Sequence, residues 1–398
     1  MRVRAVLASV VATAALVTAP AAASALPAPQ NLTTATPESR PCAEAPLRAV
    51  ATTAVFNNPV AGQPTGVVEQ ICSLVKQAEP GSTIRLAHFV ISGNAGADFV
   101  GELVKAHRRG VDVQVVLDGW QDDNAAVDAL RAQIGTDKAR DSWLHVCGNL
   151  SPEGNTSSCL GTKGQHNKFY LFSRTGGRSS VVVQSSANFT DLNSSTYWNN
   201  ATTLVGNRRL HDAYASYFAD LAAQQQDAGY YRTVTTGMRG GSVTAHFFPR
   251  AQGDPIEEFL DGVACGDGTT IRVGMSEWDS YRIGIAERLV ELAEQGCEIR
   301  IVRGLMDDDV SALLAGHEGI AMRTLGTAKE LPGRIHSKYL IVEGRIDGDA
   351  DARRVLTGSP NFNHTSLRRN DEAMISTNLR PIYDAYEDNF EQMYAAAR

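Results

Sequence analysis

Residues 165–168, with the sequence QHNK, place a histidine and a lysine two positions apart at the start of an apolar run. The run continues over residues 169–172, and a second apolar run then leads to SAN at residues 186–188. Because alternate residues of a β-strand point to the same face, His166 and Lys168 can meet one small anion.

The same arrangement occurs a second time. Residues 335–338 read IHSK, residues 339–342 are apolar, and residues 359–361 read SPN. His166 precedes its serine by 20 positions and His336 by 23, with a turn between the two strands in each case. A single His-x-Lys pair is typical of an ordinary edge strand, whereas a duplicated pair with Ser-x-Asn partners indicates a functional site.

These motifs resemble those of the phospholipase D superfamily, which carries two copies of His-x-Lys-x4-Asp followed by Gly-Ser-x-Asn. The resemblance covers the chain as two repeats. Ser173 and Glu343 occupy the Asp positions, and Ser185 replaces the first Gly, whereas Gly358 fits the second. The resemblance assigns phosphate chemistry to His, Lys and Asn, so these departures concern supporting roles.

An internal repeat extends beyond the motifs. Residues 83–86 (TIRL) match residues 270–273 (TIRV) at an offset of 187, and residues 109–113 match residues 295–299 at 186. The acidic pair 122–123 also recurs at an offset of 186. Such registry indicates duplication.

The alternation of apolar runs and amphipathic segments predicts an α/β fold. We expect two similar α/β/α sandwich domains with mixed, mostly parallel sheets, related by a pseudo-two-fold axis, with the active site at their interface. The first repeat spans residues 46–240 and the second residues 241–398. The expected strands and helices are 83–91, 97–109, 111–117 and 123–134 in the first half, and 270–275, 281–295, 298–303 and 308–315 in the second.

The first 25 residues are typical of a secretory signal peptide, with Arg2 and Arg4 before an apolar core and a small-residue cleavage site. Residues 26–45 then read as a flexible leader. No apolar run reaches the roughly 20 residues of a membrane span. We therefore expect a secreted, soluble, extracellular protein that is a monomer without a stable protein partner.

The six cysteines suit an oxidising compartment. Cys147 and Cys159 bracket a polar loop, and Cys265 and Cys297 precede segments expected to be adjacent strands. Cys42 and Cys72 then pair by elimination. Buried free thiols are the alternative to disulfides. The expected disulfides are Cys147–Cys159, Cys265–Cys297 and Cys42–Cys72. Neither the cysteines nor the other histidines have metal-ligand spacing.

A phosphodiester needs charge neutralisation, a nucleophile and a proton donor before it can be cleaved. Two ammonium groups and two side-chain amides neutralise the non-bridging oxygens, while one imidazole attacks phosphorus and the other protonates the leaving oxygen. This scheme requires no cofactor or metal. The candidate catalytic residues are His166, Lys168, Asn188, His336, Lys338 and Asn361.

The resemblance also implies that an acid or amide 11 or 12 residues after each Ser-x-Asn orients the histidine of its own repeat. These are Asn199 or Asn200 for His166 and Glu372 for His336. A neutral amide keeps a ring neutral and a carboxylate favours the protonated form, so His166 is expected to be the nucleophile and His336 the general acid. Supporting roles fall to Ser186 and Ser359.

Three tryptophans near predicted strand ends, Trp120, Trp198 and Trp278, suggest a headgroup pocket where a quaternary ammonium such as choline could bind by cation–π attraction.

The leading hypothesis is an exported phospholipase D that hydrolyses a phospholipid headgroup phosphodiester at a membrane or micelle surface, with possible transfer to alcohols. The alternative is a secreted nuclease or another phosphodiesterase of the superfamily. A net charge of -7 and the absence of Lys/Arg runs disfavour nucleic acid. A non-catalytic phosphate-ester binding protein and a cardiolipin-type transferase are further alternatives.

Overall fold

The computed structural model describes residues 40–154, 156–266, 268–326 and 330–398. Residues from Arg40 to Arg398 form one compact unit. The predicted signal peptide and most of the predicted leader lie outside the described residues. Within the described part, no helix is long and apolar enough to cross a membrane.

The first half of the chain builds a sheet of seven strands among the described residues, with the order β1-β10-β8-β7-β2-β3-β4. Short strands β5, β6 and β9 lie outside it. The strands of this half are β1 (Thr53–Phe56), β2 (Thr83–His88), β3 (Asp112–Leu117), β4 (Trp143–Val146), β5 (Asn149–Leu150), β6 (Thr156–Ser158), β7 (Lys168–Thr175), β8 (Arg178–Ser185), β9 (Tyr197–Trp198) and β10 (Asn200–Leu204).

The second half builds a sheet of nine strands among the described residues, with the order β11-β12-β20-β19-β18-β14-β15-β16 and β13 beside β18. Strand β17 pairs instead with β9 of the first half. The strands are β11 (Arg232–Met238), β12 (Gly241–Phe247), β13 (Val263–Ala264), β14 (Thr270–Trp278), β15 (Glu298–Met306), β16 (Ile320–Thr324), β17 (Arg334–Ile335), β18 (Lys338–Ile346), β19 (Asp349–Gly358) and β20 (Ala373–Thr377).

The helices pack their apolar sides on the sheets, and the expected helices occur within a few residues of their predicted ends. In the first half they are α1 (Gly66–Lys76), α2 (Gly93–Arg108), α3 (Ala125–Ile134) and α4 (Arg208–Ala223). In the second half they are α5 (Pro255–Asp261), α6 (Ile283–Glu294), α7 (Asp308–Ala315), α8 (His364–Arg368) and α9 (Arg380–Ala396).

The two halves repeat one strand pattern, which confirms duplicated α/β domains. Strands β2, β3 and β4 are parallel neighbours, as are β14, β15 and β16. The segment after β2 pairs with the residue after the first Ser-x-Asn (Ile91 with Phe189), and the end of β14 pairs likewise with the residue after the second (Trp278 with Phe362).

The sheets are mixed, as predicted, but antiparallel pairs outnumber parallel ones, so the prediction of mostly parallel sheets is wrong. Each motif pair of strands, β7 with β8 and β18 with β19, forms an antiparallel hairpin. Gly176 and Gly177, with φ of 55° and 72°, make the first of these turns. So short a connection cannot join parallel strands.

Three disulfides join the pairs expected from the sequence. The Cα–Cα distances are 5.2 Å for Cys42–Cys72, 4.8 Å for Cys147–Cys159 and 4.9 Å for Cys265–Cys297.

Candidate active site

At each His-x-Lys motif, the backbone of one half forms hydrogen bonds with the backbone of the other half. Gln165 forms a parallel bridge with Asp371, and the His166 amide donates to the Asp371 carbonyl at 2.9 Å. In the same way, β17 pairs with β9, and the His336 amide donates to the Trp198 carbonyl at 2.8 Å. Each histidine therefore lies beside the segment that follows the Ser-x-Asn motif of the other half.

This pairing between the halves decides which side chain orients each histidine. The Nδ1 atom of His166 lies 2.9 Å from both carboxylate oxygens of Glu372. The Nδ1 atom of His336 lies 2.9 Å from Oδ1 of Asn199. The expectation that each histidine is oriented from its own repeat is wrong, because the neighbouring backbone comes from the opposite repeat.

Asn200 does not contact a histidine. Its side-chain amide donates to the hydroxyl oxygens of Thr357 and Tyr386, both at 2.9 Å. Asn200 therefore joins the two halves in the buried core, and Asn199 alone has the orienting position.

Each orienting residue forms a hydrogen bond with the serine of a Ser-x-Asn motif, Ser186 or Ser359. The hydroxyl of Ser186 donates to Asn199 Oδ1 at 3.0 Å. Ser359 bonds to the carboxylate of Glu372, which also accepts from Asn370 Nδ2 at 3.1 Å. Burial raises the pKa of Glu372, but its interactions with His166, Lys168 and Ser359 outweigh burial and lower the pKa.

Burial favours the neutral form of both imidazoles, to different degrees. Burial lowers the pKa of His166, Glu372 opposes that effect, and Lys168 adds to it. Burial, Lys338 and Lys168 lower the pKa of His336 much further. Since Nδ1–H of each ring donates to its orienting oxygen, the Nε2 lone pair of each ring is left for a ligand.

The two lysines of the motifs are buried, and the charge of Lys338 acts on Lys168. Lys168 Nζ donates to the His166 carbonyl at 2.7 Å, and Lys338 Nζ donates to the His336 carbonyl at 2.5 Å. Burial lowers the pKa of Lys338 to about 7 and that of Lys168 well below its usual value, and the charge of Lys338 lowers the latter further. A bound anion would relieve both effects.

Asn188 and Asn361 hold equivalent positions. Their backbone amides donate to Asn193 Oδ1 at 3.2 Å and to Ser366 Oγ at 3.1 Å. In both, the side-chain Oδ1 atom is buried and has no hydrogen-bond partner among the described residues. Each Oδ1 atom is an acceptor that needs a donor such as a hydroxyl group or water, while Nδ2 of the same amide can donate to a phosphate oxygen.

Arg334 and Glu277 also belong to this site, although the sequence reasoning missed them. Their side chains form an ion pair at 2.7 Å, and Glu277 Oε2 lies 3.4 Å from Asn361 Nδ2. The guanidinium of Arg334 also lowers the pKa of His336. The available signal was the position of Arg334 two residues before His336, because alternate residues of an extended segment point to the same side.

Of the three tryptophans expected to form a headgroup pocket, only Trp120 is exposed, at 63%. The ring of Phe89 lies 5.7 Å from the ring of Trp120 and 4.8 Å from that of His166, which links Trp120 to the site. Trp198 and Trp278 are core residues whose indole nitrogens donate to backbone carbonyls, so their assignment to a pocket is wrong.

Comparison with known families agrees with this geometry. The family model described as "Cardiolipin synthase, PLD-like domain" matches residues 71–222 and 268–394, which is more than half of the chain. The chain belongs to the phospholipase D superfamily. No curated protein sequence matches it.

One of the solved structures similar to this chain shares its fold over most of its length, and two others match it less well. Phosphatidylserine synthase from Haemophilus influenzae Rd KW20 superimposes with a TM-score of 0.62 at 13% identity, covering 89% of each chain. Polyphosphate kinase from Porphyromonas gingivalis gives 0.46 at 14% identity over 78% of this chain and 45% of its own. Nuc, a phospholipase D family member from Salmonella typhimurium, gives 0.29 at 20% identity over 40% of this chain and 97% of its own.

The departures from the superfamily motifs have structural explanations. Ser173 Oγ accepts the Thr83 amide at 2.8 Å, and Glu343 pairs with Arg353 at 2.5 Å, so both stabilise their own sheets. A Cβ atom on Gly358 would lie 2.3 Å from the Ala373 carbonyl oxygen, which explains why glycine is required there. These departures leave the His, Lys and Asn residues of both motifs in place.

Proposed function

We propose that this protein is an exported phosphodiesterase of the phospholipase D type that hydrolyses the headgroup phosphodiester of a phospholipid through a phosphohistidine. The observation that carries the proposal is the crossed pair of contacts, His166 with Glu372 and His336 with Asn199. These contacts join two His-x-Lys motifs in one site, and each leaves the Nε2 atom of a histidine ready to act on a phosphate.

The substrate phosphate would interact with the two lysines and the two asparagines of the site. Its negative charge favours the ammonium forms of Lys168 and Lys338, whose pKa values are otherwise lowered. Amide nitrogens of Asn188 and Asn361 donate to the non-bridging oxygens. Hydrogen bonds to a charged group contribute about 1.5–3 kcal/mol each, which suits a site that must stabilise charge at phosphorus.

We assign the nucleophile to His166, on a ground different from the one that the sequence suggested. When Nε2 bonds to phosphorus, the ring becomes positively charged, and the carboxylate of Glu372 stabilises that charge through Nδ1–H. His336 lacks such a carboxylate, so its imidazolium is the stronger acid and the better proton donor.

The reaction then has two steps. Nε2 of His166 forms a bond to phosphorus as the phosphorus–oxygen bond to the headgroup breaks, and Nε2–H of protonated His336 transfers its proton to the departing oxygen. Neutral His336 next accepts a proton from water, whose oxygen attacks phosphorus and releases His166. An alcohol in place of water yields transfer to that alcohol.

A phospholipid is the proposed substrate for three reasons. The formal net charge is -7, which is unfavourable for a polyanionic nucleic acid. The matching family model is described as a cardiolipin synthase domain. Exposed Trp120, linked to His166 through Phe89, is suited to a membrane or micelle surface. Export is part of the proposal, and the three disulfides favour it. A monomeric state is proposed as well.

The test measures turnover of phosphatidylcholine, phosphatidylethanolamine, single-stranded DNA and bis(p-nitrophenyl) phosphate by one purified sample. We expect hydrolysis of a phospholipid and of the chromogenic diester. Cleavage of DNA without lipid hydrolysis would establish the nuclease alternative. Turnover of none of the four would refute the proposal.

Trapping the intermediate tests the roles of the histidines. With a labelled p-nitrophenyl diester, whose leaving group needs no proton, His336→Ala should still form a phosphohistidine and His166→Ala should form none. His317→Ala, at a partly exposed histidine that pairs with Glu294 and has no role in the proposed mechanism, is the matched control and should behave as wild type. Label found on His336 would reverse the roles, and label on neither would indicate direct attack by water.

A further inference from the structure

Asp371 is fully buried directly before the residue that orients His166, and the catalytic scheme does not use it. Its carboxylate accepts three consecutive backbone amides, from Cys159 at 2.6 Å, Leu160 at 3.1 Å and Gly161 at 2.5 Å. Through these contacts, a side chain of the second half is held by a loop of the first half.

The same two segments are also joined through their backbones. The Asp371 amide donates to the Gly164 carbonyl at 2.8 Å, and the Thr162 amide donates to the Arg369 carbonyl at 2.7 Å. A Cβ atom on Gly161 would lie 2.0 Å from the Arg369 carbonyl oxygen. The segments therefore approach so closely that a small displacement of residues 159–164 must displace residues 369–372.

A disulfide fixes this loop to the first sheet. Cys159, whose amide contacts Asp371, is bonded to Cys147. Cys147 in turn follows β4, and its amide donates to the Leu117 carbonyl at the end of β3 at 2.9 Å. A continuous path thus runs from the first sheet through the disulfide and Asp371 to Glu372.

The charge of Asp371 is compensated only in part. Burial raises its pKa to about 7, the amides of Cys159, Gly161 and Leu160 lower it, and Glu372 raises it. Among the described residues, backbone N–H groups rather than a cationic side chain hold the carboxylate, so its position depends on the shape of the loop that presents those groups.

We propose that Asp371 and the Cys147–Cys159 disulfide together are a positioning device for the Glu372–His166 pair, so that catalysis depends on this disulfide beyond its contribution to stability. The inference rests on the proposed function for its kinetic consequence. It applies to one histidine only, because the residue before Asn199 in the other half is Trp198, which has no carboxylate.

The chain offers matched controls among its own disulfides. The variant Cys147→Ser/Cys159→Ser opens a loop with a sequence separation of 12, whereas Cys265→Ser/Cys297→Ser opens one of 32. Loop entropy predicts a smaller loss of stability for the first variant. We nevertheless expect its kcat on bis(p-nitrophenyl) phosphate to fall about 10- to 100-fold, since displacement of reacting groups by about 1 Å has effects of that size.

The control variant should keep kcat and KM within about twofold of wild type. For the Cys147→Ser/Cys159→Ser variant, KM should also stay within about twofold, because Lys168, Lys338 and the two Asn residues are untouched. Asp371→Asn, which retains the disulfide, should lower kcat in the same way. Wild-type kcat in the Cys147→Ser/Cys159→Ser variant or in Asp371→Asn would overturn the proposal.

A second measurement separates this inference from the proposed function. In ¹⁵N-histidine NMR, the Nδ1–H resonance of His166, assigned by its loss in His166→Ala, reports the bond to Glu372 without any substrate. We expect it to shift or vanish in Asp371→Asn and in the Cys147→Ser/Cys159→Ser variant, and to persist in the Cys265→Ser/Cys297→Ser control. An unchanged resonance in both test variants refutes the positioning role. Absence of turnover by the wild type refutes the function alone.

Discussion

Replacing Glu372 with Gln tests the crossed orientation of His166 most directly. The substitution keeps the shape and a hydrogen-bond acceptor but removes a fully buried negative charge whose two oxygens lie 2.9 Å from Nδ1. At that distance and an effective dielectric constant of about 20, the interaction of two full charges has an upper bound of about 6 kcal/mol.

The measurable loss is smaller, because the charge on the ring exists only while the phosphohistidine forms. A hydrogen bond to a charged group contributes about 1.5–3 kcal/mol, which corresponds to a fall in kcat of about 10- to 150-fold. KM should change little, since Glu372 does not contact the proposed phosphate position.

The pH profile gives the sharper result. Glu372 raises the pKa of His166, so its loss lowers that pKa further. A nucleophile must be neutral, and a ring with a lower pKa stays neutral to lower pH. The acid limb of kcat/KM for a soluble diester should therefore move to lower pH, even though the maximal rate falls.

Asn199→Asp is the matched control, because it places a carboxylate beside the other histidine. The pKa of His336, lowered by burial and by Lys338, should rise. A general acid with a higher pKa stays protonated up to a higher pH. The alkaline limb of kcat/KM should therefore move to higher pH. Both profiles are measured between about pH 4 and pH 9. If Glu372→Gln moves the alkaline limb instead of the acid limb, His166 is the general acid and the assignment is wrong.

Three further predictions follow from the same geometry. Since the pKa of Lys338 is about 7, binding of a diester should weaken above that pH as the ammonium loses its proton, and Lys338→Arg should flatten the rise of KM with pH. Trp120→Ala should lower activity on phospholipid vesicles by about tenfold and leave the soluble diester unaffected, because the indole is exposed. Turnover of the soluble diester should persist in EDTA, and complete loss reversed by one specific metal would contradict the assignment of charge neutralisation to the lysines and asparagines.

Local features of the sequence predicted most of the fold. The His-x-Lys motifs lie at the starts of strands β7 and β18, and the expected helices occur, because alternation and amphipathic periodicity depend on neighbouring residues. The balance of parallel and antiparallel pairing was mispredicted. Strand direction in a hairpin depends on the length of its turn, and the two-residue turn at Gly176 and Gly177 requires antiparallel strands.

The tryptophans were misassigned for a related reason. A position near a strand end is compatible with the crevice or with the core, and the sequence does not distinguish them. The indole N–H groups of Trp198 and Trp278 donate to the carbonyls of Pro332 and Arg282, partners that exist only after folding.

The sequence did not predict that each histidine is oriented by a residue of the opposite half, because this depends on strand pairing between the halves. Proximity along the chain associates Glu372 with His336, but β17 pairs with β9 of the other half, and Gln165 bridges Asp371. Each half thus contains a histidine whose orienting side chain is supplied by the other. Duplication of the fold therefore did not produce two sites, since neither half holds its own imidazole in a defined tautomer. The asymmetry between Glu372 and Asn199 then gives the two rings different basicity, as the proposed attack and proton transfer require.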